Sequence, residues 1–235
     1  MMQPFSIKGF QGTSLIDYPG RIASIIYTGS CNFRCRFCYN RALVEDAASL
    51  PDIPADEMLA ALEKRRNFIE GVVVTGGEPT LQPGLIDFLK ELKKLGLAVK
   101  LDTNGSRPDA IESAIADGLA EYIAMDYKAP LAKLERVCGA AGHAENVARS
   151  ARLLIERAPR YEFRTTVHPL IIDFRDLETI AAELAGARAW FLQQYHAFDS
   201  LDPLLMESKP YPKEFFERAE MMFGPMFEKF AVRNL

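Results

Sequence analysis

Gly71-Val72-Val73-Val74-Thr75-Gly76-Gly77-Glu78-Pro79 is the stretch on which the fold turns. An unbroken apolar, β-branched run reads as a strand buried on both faces, and the glycines and proline after it read as the loop at its C-terminal end. A helix over 84–95 follows, with Leu85, Ile86, Leu89, Leu92 and Leu95 at helical spacing. The same rhythm extends outward in both directions. Upstream, a strand at 23–27 precedes a helix over 56–68, marked by Met58, Leu59, Leu62 and Phe68. Downstream, strands at 98–101, 122–125, 161–167 and 189–193 alternate with helices at 108–117, 144–156 and 176–184. A helix at 213–222 and a strand near 229–232 complete the pattern.

Strands alternating with helices predict parallel βαβ units. A flat doubly wound sheet shares that rhythm, so the polar residues have to arbitrate. In a parallel barrel the working face is the C-terminal end of the strands. The first strand leads to Cys31–Cys38, the second to Gly76–Pro79, the third to Asp102-Thr103-Asn104-Gly105 and the fourth to Asp126-Tyr127-Lys128. Arg164 lies within the fifth, and the sixth leads to Gln193-Gln194-Tyr195-His196. Polar segments loading one edge in succession predict a single shared site. The expected fold is therefore α/β, an incomplete (β/α)6 TIM-type barrel of parallel strands, with a seventh strand if the tail joins. It forms one domain over 1–235: an N-terminal extension at 1–22, the partial barrel at 23–200, and a C-terminal helix and tail at 201–235.

Composition excludes other classes. Of 235 residues, 49% are hydrophobic and 26% charged, which suits a chain that buries a core, and the net charge of −4 draws no polyanion from a distance. Nucleic acid is accordingly not an expected partner. No apolar run approaches the roughly 20 residues that span a bilayer, and the N-terminus lacks a signal layout. No membrane partner is expected, and the expected location is the cytoplasm.

Four cysteines are too few for a disulfide framework in a chain of this length. Cys31, Cys35 and Cys38 share one short loop, spaced CxxxCxxC, while Cys138 stands far away. Thiolates so placed can meet at one metal centre, and soft sulfur selects zinc or iron–sulfur over hard cations. Structural zinc wants four protein ligands, and the next candidates, Cys138 and His143, are remote. Three thiolates with one position open is the better reading, and an open position binds a ligand.

This spacing, with the aromatic Phe37 before the third cysteine, resembles the CxxxCxφC hallmark of the radical S-adenosylmethionine (SAM) superfamily. The resemblance implies a [4Fe-4S] cluster on Cys31, Cys35 and Cys38, whose remaining iron binds the amino and carboxylate groups of SAM. Gly76-Gly77-Glu78-Pro79 matches the superfamily's GGEP segment, implied to meet the methionine amino group: glycines let backbone approach, and a carboxylate satisfies an ammonium. The finer similarity is to glycyl-radical-enzyme activases, above all those of anaerobic ribonucleotide reductase and of pyruvate formate-lyase. It is carried by Gly12–Gly20, Cys38-Tyr39-Asn40, Leu101–Gly105, Met125–Lys128 (where Tyr127 departs from the family pattern), Arg164 and Tyr195-His196. By this resemblance Asp126 and Lys128 face SAM or an incoming peptide, Arg164 orients the cofactor, and His196 lies near the adenosine. Asp102, Thr103 and Asn104 line the cofactor site, with Asp102 also holding a monovalent cation.

The implied activity is reductive cleavage of SAM to a 5′-deoxyadenosyl radical that abstracts a glycine Cα hydrogen from a partner, anaerobic ribonucleotide reductase. No further cysteine sets follow the first, so one cluster is expected, fed by an external flavodoxin or ferredoxin. Blander roles compete: Asp102 and Asn104 as turn or helix caps, Lys128 as an exposed loop charge, Arg164 in a structural ion pair, His196 as a hydrogen-bonded structural histidine. Cys138 reads as a non-ligand. The alternative functions are a radical SAM enzyme acting on a small molecule such as a deazapurine precursor, and a zinc-binding interaction protein.

Overall fold

The computed structural model describes residues 3–196 and 200–233. Its elements, in order, are β1 (Ile7–Ser14), β2 (Ala23–Thr28), α1 (Arg41–Glu45), α2 (Ala55–Glu63), β3 (Gly71–Gly76), α3 (Leu85–Lys94), β4 (Ala98–Thr103) and α4 (Pro108–Ala116). Then come β5 (Tyr122–Asp126), α5 (Leu134–Cys138), α6 (Ala144–Arg157), β6 (Tyr161–Val167), α7 (Phe174–Glu183), β7 (Ala189–Gln194), α8 (Pro203–Glu207), α9 (Lys213–Phe223) and β8 (Lys229–Arg233). The strands form one sheet in sequence order, parallel from β2 through β8. β1 and β8 stand at its two ends, so the barrel is partial, an arc rather than a closed ring.

Two departures from the sequence pattern have local causes. Within the expected extension, β1 pairs antiparallel with β2, Ile7 opposite Thr28 and Ser14 opposite Ala23, with shifts of register on the way. Those irregularities spoil the alternation that would have marked it. α7 begins two residues earlier than the apolar pattern because Asp173 and Asp176 form a reciprocal capping box. The tail strand does join, Ala189 opposite Lys229 through Gln193 opposite Arg233.

The two faces of the arc differ in character. Ile26, Val72, Val74, Leu101, Ile123, Phe163 and Trp190 point outward into the main core, against helix residues such as Leu62, Leu89, Ile111, Leu154, Leu177 and Phe216. The concave face carries a smaller cluster of Ile25, Val73, Ala98, Tyr122 and Ala124, floored by the fully buried Tyr18. Gly71 makes room for that floor, since a Cβ there would sit 2.8 Å from the Ala98 carbonyl and 3.0 Å from the Tyr18 ring. Above it the inner face turns ionic, with Lys100 and Glu162 buried. Glu162 is satisfied by both Arg233 Nη atoms, at 2.8 and 2.7 Å, and by the Tyr122 hydroxyl at 2.8 Å. Buried charge survives only when matched in this way. Among the described residues no helix is long and apolar enough to cross a membrane.

Candidate active site

The cysteine loop leaves β2 through Ser30, whose φ of 66° lies in the left-handed region. Its first residues lie directly against the glycines after β3: Gly77 N donates to Thr28 O at 2.9 Å, and Glu78 N to Ser30 O at 2.8 Å. A Cβ on Gly76 would lie 2.2 Å from Thr28 N, and one on Gly77 would lie 1.9 Å from Ser30 O. The close approach these glycines permit is thus between two stretches of the protein's own backbone. Further braces fix the loop: Cys38 N to Cys35 O at 3.0 Å, Asn40 Nδ2 to Gly76 O at 2.9 Å, and Arg36 Nε to Asp202 at 2.7 Å. Phe33 and Phe37 are buried beneath it.

Cys31, Cys35 and Cys38 all line one cavity of about 360 Å³. Burial pushes the Cys31 thiol up to about 12 and raises Cys38, while the neighbouring Cys138 thiol and then burial raise Cys35. The Lys128 ammonium opposes the rise at all three. Among the described residues, no three His, Cys, Asp or Glu side chains are placed to hold a single metal ion. The three thiols share the lining of this one cavity with Lys128. Three soft donors, with no fourth cysteine or histidine among the described residues of the lining, suit an iron–sulfur cluster better than a structural zinc ion, which wants four protein ligands.

Opposite the thiols runs a chain of alternating charge. Lys100 pairs with one oxygen of Asp102, and Arg164 Nη1 takes the other at 3.0 Å. Arg164 Nε reaches Asp126 Oδ1 at 2.7 Å, and Asp126 Oδ2 accepts from Lys128 Nζ at 3.0 Å. The Lys128 ammonium also lies 5.5 Å over the Phe37 ring. Burial works against each charged form, but the partners win: Arg164 and Lys128 hold the Asp126 carboxyl well below the usual carboxylate range. Asp102 and Asp126 hold Arg164 protonated, and Asp126 does the same for Lys128. Arg164 thus makes the structural ion pair that competes with a cofactor role, and it lines the cavity as well. Asp102, expected to hold a monovalent cation, already has a nitrogen cation on each oxygen.

Glu78 is 1% exposed, and burial raises its pKa. Its oxygens accept from Thr80 N at 3.1 Å, Thr103 Oγ1 at 2.7 Å, Asn104 N at 2.6 Å and the Thr80 hydroxyl. The carboxylate is thereby occupied in tying the loop after β3 to the end of β4, and Pro79 starts the buried single turn that positions Thr80. Asn104 closes a local turn through Ser106 N at 2.9 Å and also reaches the cysteine loop, with Nδ2 on Asn32 Oδ1 at 3.0 Å. His196 is exposed at the rim and outside the cavity lining; its backbone N–H meets the Tyr39 hydroxyl at 2.8 Å. The cavity gathers all the other expected residues except Pro79, and its added lining includes Asp17, Tyr39, Asn40, Thr166, Gln193 and Gln194. Lys100 was missed although it had a signal, as a lysine in the apolar run Ala98–Leu101.

Comparison with known proteins agrees with this geometry. The sequence profile of the radical SAM superfamily matches residues 25–186. A Methanocaldococcus jannaschii protein with the provisional name glycyl-radical enzyme activating enzyme is 29% identical over 214 residues, 88% of this chain and 87% of that one. The 7-carboxy-7-deazaguanine synthase of Methanopyrus kandleri is 30% identical over 132 residues, 48% of this chain and 52% of the synthase. Among solved structures, Streptococcus suis SuiB bound to SAM superposes with a TM-score of 0.70 at 14% identity, covering 89% of this chain and 50% of SuiB, a likeness of fold alone. Profile, fold and a cysteine-lined cavity at the strand ends lead to one assignment: the chain belongs to the radical SAM superfamily, enzymes whose cofactors are a [4Fe-4S] cluster and SAM.

Proposed function

We propose that this enzyme is an activase that installs a glycyl radical in a partner protein, with anaerobic ribonucleotide reductase the favoured partner and a flavodoxin or ferredoxin the electron donor. The observation that carries the reading is three thiols lining one cavity together with the Asp102–Arg164–Asp126–Lys128 chain, which Lys100 extends from outside the lining. The near full-length similarity to an activating enzyme supports it. When bound, the cluster and SAM supply one-electron cleavage to methionine and a 5′-deoxyadenosyl radical, the species that takes the glycine Cα hydrogen.

The protein's own residues do the rest. Cys31, Cys35 and Cys38 hold the cluster, their protons leaving as iron binds. Lys128 and Arg164 present fixed positive charge to the amino-acid carboxylate of SAM. Asp126 and Asp102 keep both cations oriented, and Lys100 with Arg164 takes the place of a monovalent cation at Asp102. The carbonyls of the Gly76–Gly77 stretch, with Thr103 and Asn104, offer acceptors to the ammonium that Glu78 cannot reach. Gln193, Gln194 and Thr166 form the opposite wall, and His196 waits at the rim for the adenosine. The gap between β1 and β8 admits an extended segment of a partner, and residues 1–235 act as one domain.

The test is anaerobic incubation of reconstituted enzyme, SAM and reductant with the candidate reductase. A glycyl-radical EPR signal with matching 5′-deoxyadenosine supports the proposal. The partial similarity to the deazaguanine synthase favours one second reading, and turnover of a deazapurine precursor without any glycyl radical would establish that instead.

A further inference from the structure

Cys138 is fully buried, does not line the cavity, and has no part in the chemistry proposed above. Its position is nonetheless tightly specified. It is the last residue of α5, which ends on Gly139 in the left-handed conformation at φ 61°. A Cβ on Gly139 would come within 3.1 Å of Arg34 Cβ, so the end of α5 is pressed onto the cysteine loop. Two backbone bonds hold it there, Arg34 N to Cys138 O at 2.7 Å and Arg36 N to Val137 O at 3.4 Å. They flank Cys35 on both sides. The Cys138 and Cys35 side chains consequently meet, and all four cysteines are free thiols.

We infer that Cys35 and Cys138 form a reversible disulfide when the cluster is lost to oxygen, a parked state of the cofactor-free enzyme. This rests on the assignment of Cys35 as a cluster ligand. With iron bound, Cys35 is occupied and Cys138 is a bystander. Once iron leaves, the Cys35 thiol faces its neighbour across a contact that the backbone already enforces. Dioxygen, entering through the cavity that Cys35 lines, takes two electrons and two protons from the pair; one S–S bond forms and dioxygen becomes hydrogen peroxide. The same bond withholds Cys35 from overoxidation to sulfinic acid, which a thiol reductant cannot reverse. A dithiol reverses the disulfide by exchange and restores the ligand for a new cluster. Cys31 Sγ instead accepts the Phe33 N–H at 3.3 Å.

The experiment uses the reconstituted holoenzyme. Air exposure, alkylation of remaining thiols and proteolytic mapping without reductant should yield a Cys35–Cys138 crosslinked peptide as the principal disulfide. Dithiothreitol followed by iron and sulfide should then return iron content to the starting value. Cys138→Ser should load iron to the wild-type level and cleave SAM normally before exposure, then recover severalfold less iron afterwards, with sulfinic acid found at Cys35. A map dominated by another cysteine pair, or Cys138 alkylated in full, would overturn the inference. So would equal recovery by the variant. Should Cys138→Ser fold poorly, the wild-type map alone decides. Iron content before exposure reads the ligand assignment separately, so failure of that assignment is distinguishable from failure of the pairing.

Discussion

Glu78, on the loop after β3, accepts the backbone N–H of Asn104, on the loop after β4, at 2.6 Å, from a position sealed from solvent. One carboxylate thus sets the spacing between two neighbouring walls of the cavity. Replacing it with alanine strands four donors in a dry site, at a cost of about 2–4 kcal/mol. Glu78→Ala should therefore lower the urea midpoint and weaken SAM binding by calorimetry, whereas Glu78→Gln should retain most of the stability. Equal losses in both variants would assign the effect to charge instead of spacing.

Gly77 tests the contact between the same loop and the cysteine loop. The Gly77→Ala methyl would fall 1.9 Å from the Ser30 carbonyl, so backbone must move. A shift at the entry to the ligand loop should cut iron incorporation severalfold while the helical circular dichroism persists. Normal iron loading would mean the two loops slip past each other freely.

The acid limb of stability should report Asp126. Its folded pKa is depressed by Arg164 and Lys128, so its contribution is complete above the unfolded carboxylate value near 3.8 and is lost as pH falls below it. Asp126→Asn leaves Arg164 and Lys128 short of a partner at neutral pH, costing about 2 kcal/mol after allowance for the partly exposed carboxylate. Denaturant midpoints from pH 2 to 7 should show a gap between variant and wild type that narrows on acidification.

The cofactor-free protein should weaken at the alkaline end. Cys31 titrates at about 12 when folded and near 9 when unfolded, so the stabilising protonated state is complete below pH 9 and is lost as pH climbs towards 12. Cys31→Ala should flatten that decline in thermal melts taken under reductant.

Lys100 offers a cleaner test of the ionic chain than its neighbours. It touches Asp102 from below and lies outside the cavity lining. Wild-type SAM cleavage should be indifferent to exchange of potassium for a bulky quaternary ammonium ion. Lys100→Ala, which opens a space beside the Asp102 oxygen that Arg164 does not hold, should lose activity about tenfold and regain part of it with potassium or ammonium. A variant whose activity is indifferent to the cation would leave Lys100 with a purely structural role.

The alternation of apolar runs and helical spacing made the barrel legible, because strands β2 through β7 are buried on the outer face and interrupted by turn residues at their ends. The cysteine spacing and the polar strand ends likewise pointed to one cavity, and most of their residues line it, with Pro79, Tyr195 and His196 standing outside the lining. What the pattern missed is long-range. Glu162 and Arg233 are ordinary charges until the arc folds them together, and nothing local distinguishes them from solvated ones, whereas Lys100 is marked only by the apolar run around it. The role of Glu78 was obscured for a related reason. Its identity suggested a group aimed at a ligand, but its donors lie two residues away at Thr80 and across the sheet at Thr103 and Asn104. β1 escaped because a strand with register shifts loses its period.

The pairing of Glu162 with Arg233 spans 71 positions of sequence. During synthesis β6 leaves the ribosome long before β8, and over that interval the carboxylate meant for the interior has no guanidinium to meet. Sealing the inner face early would trap an unmatched charge, so the nascent arc has reason to stay loose until its last strand arrives. β8 therefore works as a timing element, delaying the final consolidation of the cavity until the last strand of the arc has been made.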